Sequence, residues 1–279
     1  MSRGGAAALH GGGARVIVLG GDEVPDPDTW RARLPELLPG REVTWANGPA
    51  EAADIVAGSP SRTHVVVPLS TGRHPVTISD AARALRWVRD ETGARVCLAA
   101  PLGDATKTVS ALRANIGRHV PAGAWALVAS VALDSFADAE LFRLARLAAT
   151  HKDTPVEVAF DPGHEAAGHC DRVSPTIGEG RERCRALGAD DVRVLRADLA
   201  LEPCDGHIPL WSPPVLSTLL ALAADDALAA LGHGHDGIDG ALDADHGHGY
   251  AHSHGDDDHH GHSHGHSHSH SHESRHAHG

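Results

Sequence analysis

THVVVPLSTGRHPVTISDAARALRWVRDETGARVCLAAPLG, residues 63–103, decides the fold. Its first nine residues are a β-branched, apolar run ending in small polar residues, the pattern of a strand buried on both faces. The stretch from Ile78 reads as a helix, with Asp80 as its cap and Gly93 as its stop. RVCLAAPLG (95–103) is again an apolar run of strand type. Strand, helix and strand, with the strands apolar throughout, predict a parallel sheet covered on both sides.

The same alternation extends in both directions. ARVIVLGG (14–21) and REVTWANG (41–48) read as strands. DTWRARLPELLPG (28–40) reads as a helical stretch interrupted by Pro35, and PAEAADIVAG (49–58) as a short helix entered through Pro49. TKTVSALRANIGRHV (106–120) sets Val109, Leu112, Ile116 and Val120 at helical spacing. The pattern then restarts. WALVASVAL (125–133), PVEVAF (155–160) and DVRVLRADLA (191–200) read as strands. Residues 137–151, 174–188 and 213–231 read as helices.

The expectation is therefore an α/β protein of two tandem Rossmann-like lobes with mostly parallel sheets, spanning 14–123 and 124–231. A flexible leader (1–13) precedes them and a disordered tail (232–279) follows. The second lobe is short. Only about ten residues separate DLAL from PPVLSTLL, too few for a parallel crossover, so one crossover helix is missing there.

Composition narrows the function. The formal net charge is −13, which excludes the basic footprint that nucleic-acid binding requires and suits cation attraction. The four cysteines are too few and too scattered for a disulfide scaffold, which points to a reducing cytoplasm. The first residues lack the apolar core of a signal peptide, and no apolar run of membrane-crossing length is read in the chain. LGGDE (19–23) lacks the third glycine of a dinucleotide fingerprint and no P-loop lysine follows, so no nucleotide cofactor is expected.

The residues after Gly232 name a different business. Sixteen of the 24 histidines lie between His233 and His278, interleaved with Gly, Ser and Asp. Neutral imidazole is the commonest ligand for borderline divalent metals, and such tracts read as metal binding. His262, His264, His266, His268, His270 and His272 form its densest part. A flexible ligand set of this kind follows intrinsic metal affinity more than shape.

Within the lobes, ligands in open α/β sheets bind beyond the carboxyl ends of the strands. His74 falls there, in STGRHP, and Asp22 and Glu23 follow the first strand. His169 and Cys170 follow one strand of the second half, and Cys204 and His207 follow the next. Those two loops share a sheet edge, so two Cys and two His make a candidate tetrahedral soft-metal site; unrelated surface residues are the other reading. HEAAGH (164–169) spaces its histidines five apart, which does not return to one helical face and excludes a zinc-protease helix. Cys97 and Cys184 read as small core fillers.

LVASVALDSFADAELFRLARLAATHKDTPVEVAF (127–160) and SPTIGEGRERCRALGADDVRVLRADLAL (174–201) resemble the second half of long, two-repeat sirohydrochlorin chelatases. VVVPLSTGRHPVTISDAARAL (65–85) resembles the strand and Gly-His loop that carries a metal-handling histidine in that family, and His74 is the matching position. The resemblance spans roughly 14–231 and rests on pattern more than on rigid motifs. It implies two Rossmann-like lobes with a cleft between them, and ATP-independent insertion of Co2+, alternatively Fe2+ or Ni2+, into a sirohydrochlorin-type tetrapyrrole. His74 would then be metal ligand and proton acceptor, with Asp22 or Glu23 as second ligand. The family's first strand ends in Gly-His-Gly where this chain reads LGGDEV, so a carboxylate stands in for an imidazole. The alternative is a chelatase-derived cobalt or nickel chaperone or reservoir without tetrapyrrole chemistry. Monomer and homodimer both stay open.

Overall fold

The computed structural model describes residues 13–150, 152–161, 174–202, 205–242 and 244. Seven strands and eight helices alternate through them. The first half runs β1 (Arg15–Leu19), α1 (Pro27–Leu37), β2 (Glu42–Ala46), α2 (Pro49–Ala57), β3 (Thr63–Pro68), α3 (Pro75–Thr92), β4 (Arg95–Leu98) and α4 (Ala105–His119). The second runs β5 (Trp125–Val131), α5 (Ser135–Ala149), β6 (Val156–Asp161), α6 (Ile177–Ala186), β7 (Val192–Arg196) and α7 (Pro213–Gly232), and α8 (Ile238–Leu242) follows.

Every strand pair is parallel. The first sheet has the order β2-β1-β3-β4 and the second β6-β5-β7. The α/β class with two parallel sheets is as the apolar strand pattern requires. In register, Leu19 pairs with Pro68 and Ala129 with Arg196, so β1-β3 and β5-β7 are equivalent central pairs. The second sheet stops where the first adds β4. On the side of β7 away from β5, the described residues give a single parallel bridge, Leu195 to Ile208. The shortness of 201–212 is thus a missing helix-and-strand unit.

The halves exchange their last helices. α7 lies across β3 and β4 and against α1, while α4 packs on α5 and β7. One apolar core consequently runs through both halves, joining Val65, Leu112, Val128, Leu141 and Leu216. Trp30 of α1 is fully buried in it and donates from Nε1 to the carbonyl of Leu199 at 2.7 Å.

Four details depart from the sequence expectation. α1 runs through Pro35 instead of breaking there, because Trp30, Leu34 and Leu37 on one face anchor it. α3 starts at Pro75, with His74 at its N-cap position, and Asp80 sits on the exposed side bonded to Arg83. Proline at the first helical position, where the missing N–H is not needed, sets that start. α7 is long and apolar enough to cross a membrane by length and composition, with mean hydropathy 1.6, where no such run was expected. It buries Leu216, Leu220, Ala224 and Ala227 at helical spacing. Finally, the folded part does not stop at 231. The chain turns back so that Leu98 donates to the Asp236 carbonyl at 2.8 Å and Arg89 pairs with Asp236 at 2.5 Å. Gly237 (φ +72°) passes so close to Leu98 that a Cβ would collide with its carbonyl. Ile238, Ala241 and Ala244 then bury against the layer built by α2 and α3.

Candidate functional site

The loop from β3 to α3 is held from below by a buried carboxylate. Glu23 accepts from the Ser70 hydroxyl at 2.5 Å, from the Thr71 amide at 3.1 Å and from the Thr71 hydroxyl. Gly72 turns the chain at φ +82°, with its N–H on Ser70 Oγ at 3.0 Å. A side chain there would also press on the backbone of Gly103 and Asp104. Glu23 was expected as a candidate second ligand. Its oxygens are instead occupied in bracing the loop, and the side chain is sealed from solvent.

Arg73 next fastens this loop to the second half. Its buried guanidinium donates to Ser130 Oγ at 2.8 Å, to the carbonyls of Val131 (2.8 Å) and Ala137 (3.2 Å), and to Asp138 Oδ1 at 3.1 Å. A buried, bonded guanidinium fixes orientation because its planar fork satisfies several acceptors at once.

His74 therefore stands at the seam, at the carboxyl ends of both sheets. Its Nδ1 is 3.0 Å from Thr77 Oγ1 and 3.2 Å from Asp22 Oδ2, and its Nε2 is 3.4 Å from Asp134 Oδ2. Asp22 comes from the loop after β1. Asp134 is the N-cap of α5, whose other oxygen accepts from the amides of Phe136 (2.8 Å) and Ala137 (2.9 Å). The imidazole is 13% exposed, Asp22 is 61% exposed and Asp134 46%. The hydrogen bond to Asp22 raises the His74 pKa above its ordinary value; burial opposes this, and the charges of Asp22, Asp134 and Glu23 add to it. The same bond holds Asp22 below the usual carboxylate range. The site thus offers a partly shielded imidazole that holds a proton readily, with a carboxylate at each ring nitrogen.

The two carboxylates lie at opposite nitrogens, so they do not converge on one point. Among the described residues no group of three or more His, Cys, Asp and Glu side chains is gathered to hold a metal ion. Of the expected ligands, the structure brings His74 and Asp22 within 3.2 Å of each other. Asp134 was not picked out in the sequence. Its only signal there was a capping aspartate directly after a strand, in ALDSF.

Of the second expected cluster, His169, Cys170 and Cys204 lie outside the described residues, as do His262, His264, His266, His268, His270 and His272. His207 is described. It is buried, with Nε2 3.3 Å from Arg181 Nη2. Burial lowers its pKa, and the neighbouring Arg196 and Arg181 lower it further. Cys97 and Cys184 are buried core residues, and burial pushes the Cys97 thiol up to about 12.

Neither the family models nor the curated proteins match this chain. Among solved structures the chain is similar to DR2241 from Deinococcus radiodurans, described as a multi-domain protein with structural similarity to chelatases and two additional novel domains. The identity is 16% and the TM-score 0.44, over 80% of this chain and 60% of that one. The chain thus spans about 60% of the length of that protein.

Proposed function

We propose that this protein is a metal chelatase of the sirohydrochlorin type, an ATP-independent lyase that inserts Co2+, alternatively Fe2+ or Ni2+, into a reduced tetrapyrrole of cobalamin or sirohaem synthesis. The observation that carries this reading is the His74 imidazole at the seam of the two lobes, bracketed by Asp22 from one and Asp134 from the other. Insertion replaces two pyrrole N–H protons by bonds to the divalent ion. It therefore needs a proton acceptor with a pKa near neutrality and a way to draw the ion in. Neutral His74 accepts one ring proton, the imidazolium so formed is stabilised by the carboxylate at each nitrogen, and the second proton leaves to solvent water. Asp22, the more exposed of the two, meets the incoming ion. Glu23 and Arg73 are positioning residues that set the angle of the loop. The His-rich C-terminal end would raise the local ion concentration around this cleft.

A second reading is a non-catalytic cobalt or nickel carrier. It is favoured by the two occupied nitrogens of His74. One experiment separates them. Purified protein is mixed with sirohydrochlorin and Co2+, and the absorbance change of the macrocycle is followed. The expected result is insertion by the wild type and a loss of roughly 100-fold or more in His74→Ala, the scale of a removed general base. Wild-type protein that binds Co2+ and inserts none would leave the carrier.

A further inference from the structure

A groove of 620 Å³ opens between α4 and the segment running from His207 into α7. It lies beside the Ile208 strip, which stands next to β7 where the first half has β4. In the first half β4 extends the sheet and α7 lies over it. On the side of β7 away from β5, the described residues place Ile208, with the Arg196 amide donating to its carbonyl at 2.7 Å and its own N–H on the Val194 carbonyl at 2.9 Å. Asn115 ties this strip to α4 by donating to the carbonyls of Pro209 (3.0 Å) and Leu210 (3.2 Å).

The lining has two properties. Its body is apolar, with Trp211, Val215 and Leu219 on the side opposite α4. Its ionisable groups are Lys107 near one end of α4, which pairs with Asp104 at 3.6 Å, Arg118 and His119 near the other, and His207; no carboxylate is among the lining residues. In a chain with 37 acidic residues and a net charge of −13, an acid-free groove is a departure from the rest of the composition. About 16 Å of helix separates the two cationic ends, from a rise of 1.5 Å per residue. The volume lies in the range of small-molecule sites, ~300–1,000 Å³.

We propose that this groove binds a small organic acid with an apolar body, its anionic group held by Arg118 or Lys107 and its body against Trp211, Val215 and Leu219. None of Asp22, His74 and Asp134 lines it, so the inference stands apart from the chelatase reading and survives its failure.

The test uses the full chain and two fluorescent probes of similar body, 8-anilinonaphthalene-1-sulfonate and the uncharged N-phenyl-1-naphthylamine. The expected result is one saturable site for the sulfonate. The double variant Lys107→Gln/Arg118→Gln weakens it about tenfold, the scale of a lost charge-assisted contact, and moves the neutral probe less than twofold. Ala114→Trp, which fills the groove from an exposed helix position, removes both probes while the circular dichroism of the protein is unchanged. Sulfonate binding that persists in Ala114→Trp overturns the proposal, as does equal weakening of both probes by the charge variant. Sedimentation showing a wild-type dimer that Ala114→Trp dissolves would also overturn it, because the groove is then covered by a second copy.

Discussion

The two halves share a plan and cover their outer faces by different means. In the first, α2, α3 and α8 bury the outer side of the sheet, so that Ile17, Val66 and Val96 meet Leu85, Ala82 and Ile238. In the second, among the described residues, α6 is the helix that covers Leu127, Ala129 and Val194, with Cys184 in the same cluster. Where the first half has apolar area, the second has charge. Arg196, at the end of β7, is buried between Asp198 and Asp161, and Asp198 also accepts from the Val131 amide at 2.9 Å. Losing a strand-and-helix unit removes apolar surface and leaves the end of the central strand to be closed some other way. Here a buried guanidinium and two carboxylates close it. The inner faces do not divide in this way, because the exchanged helices α4 and α7 put them in one core.

The first way to break this comparison is to remove the charge. Arg196→Met leaves Asp198 buried with no cation beside it, and breaking a buried pair from one side costs ~3–5 kcal/mol. Urea denaturation should show that loss in a single transition, because the shared core denies either half a separate one. A loss below about 1 kcal/mol would mean that the network does not close the second half. Paired truncations in the two outer layers sharpen the comparison. Leu85→Ala removes a 1% exposed side chain from a three-helix layer and should cost ~2–5 kcal/mol. Cys184→Ala removes one sulfur from a one-helix layer and should cost about 1 kcal/mol or less. Equal costs would say that α6 supports its sheet as firmly as α2, α3 and α8 support theirs.

What the sequence disclosed follows from the same physics. The central strands were readable because burial on both faces leaves runs such as HVVVP and ALVASV with no polar alternation. The missing unit was readable because chain length between strand and helix is a counting matter. α8 was hidden because its apolar residues, Ile238, Ala241 and Leu242, sit among Gly, His and Asp, and only the α3 surface gives them a periodicity. The start of α3 was misplaced because the apolar period beginning at Ile78 outweighed the Pro75 signal. His74 and Asp22 were legible as strand-end residues. Glu23 shared their position in sequence, but which of two adjacent carboxylates points inward depends on the hydroxyls of Ser70 and Thr71, a loop away. Asp134 depended on the relation between the halves, which no local pattern carries.

The smallest effect tests the seam where the halves meet. His74 has a raised pKa and Asp22 a lowered one, each because of the other. The stability from His74 is full below its unfolded value of about 6.5 and fades as pH rises through the higher folded value. The stability from Asp22 is present above its unfolded value of about 3.9 and fades as pH falls through the lower folded value. Both act together between about pH 4 and 6.5. Asp22→Asn should therefore lower stability most in that window and converge on the wild type at alkaline pH. Asp22 is 61% exposed, so solvent screening holds the difference to less than ~1 kcal/mol. The same substitution has a sharper readout in NMR titration of the His74 ring protons. With Asp22 neutral, the midpoint should move to lower pH, while Asp134 still holds it from the other nitrogen. If insertion uses neutral His74 as the base, the rising limb of its pH-rate profile moves the same way. A titration midpoint that stays put would show that Asp134, a side chain of the second half, sets its proton affinity. The site would then belong as much to the shortened half as to the complete one.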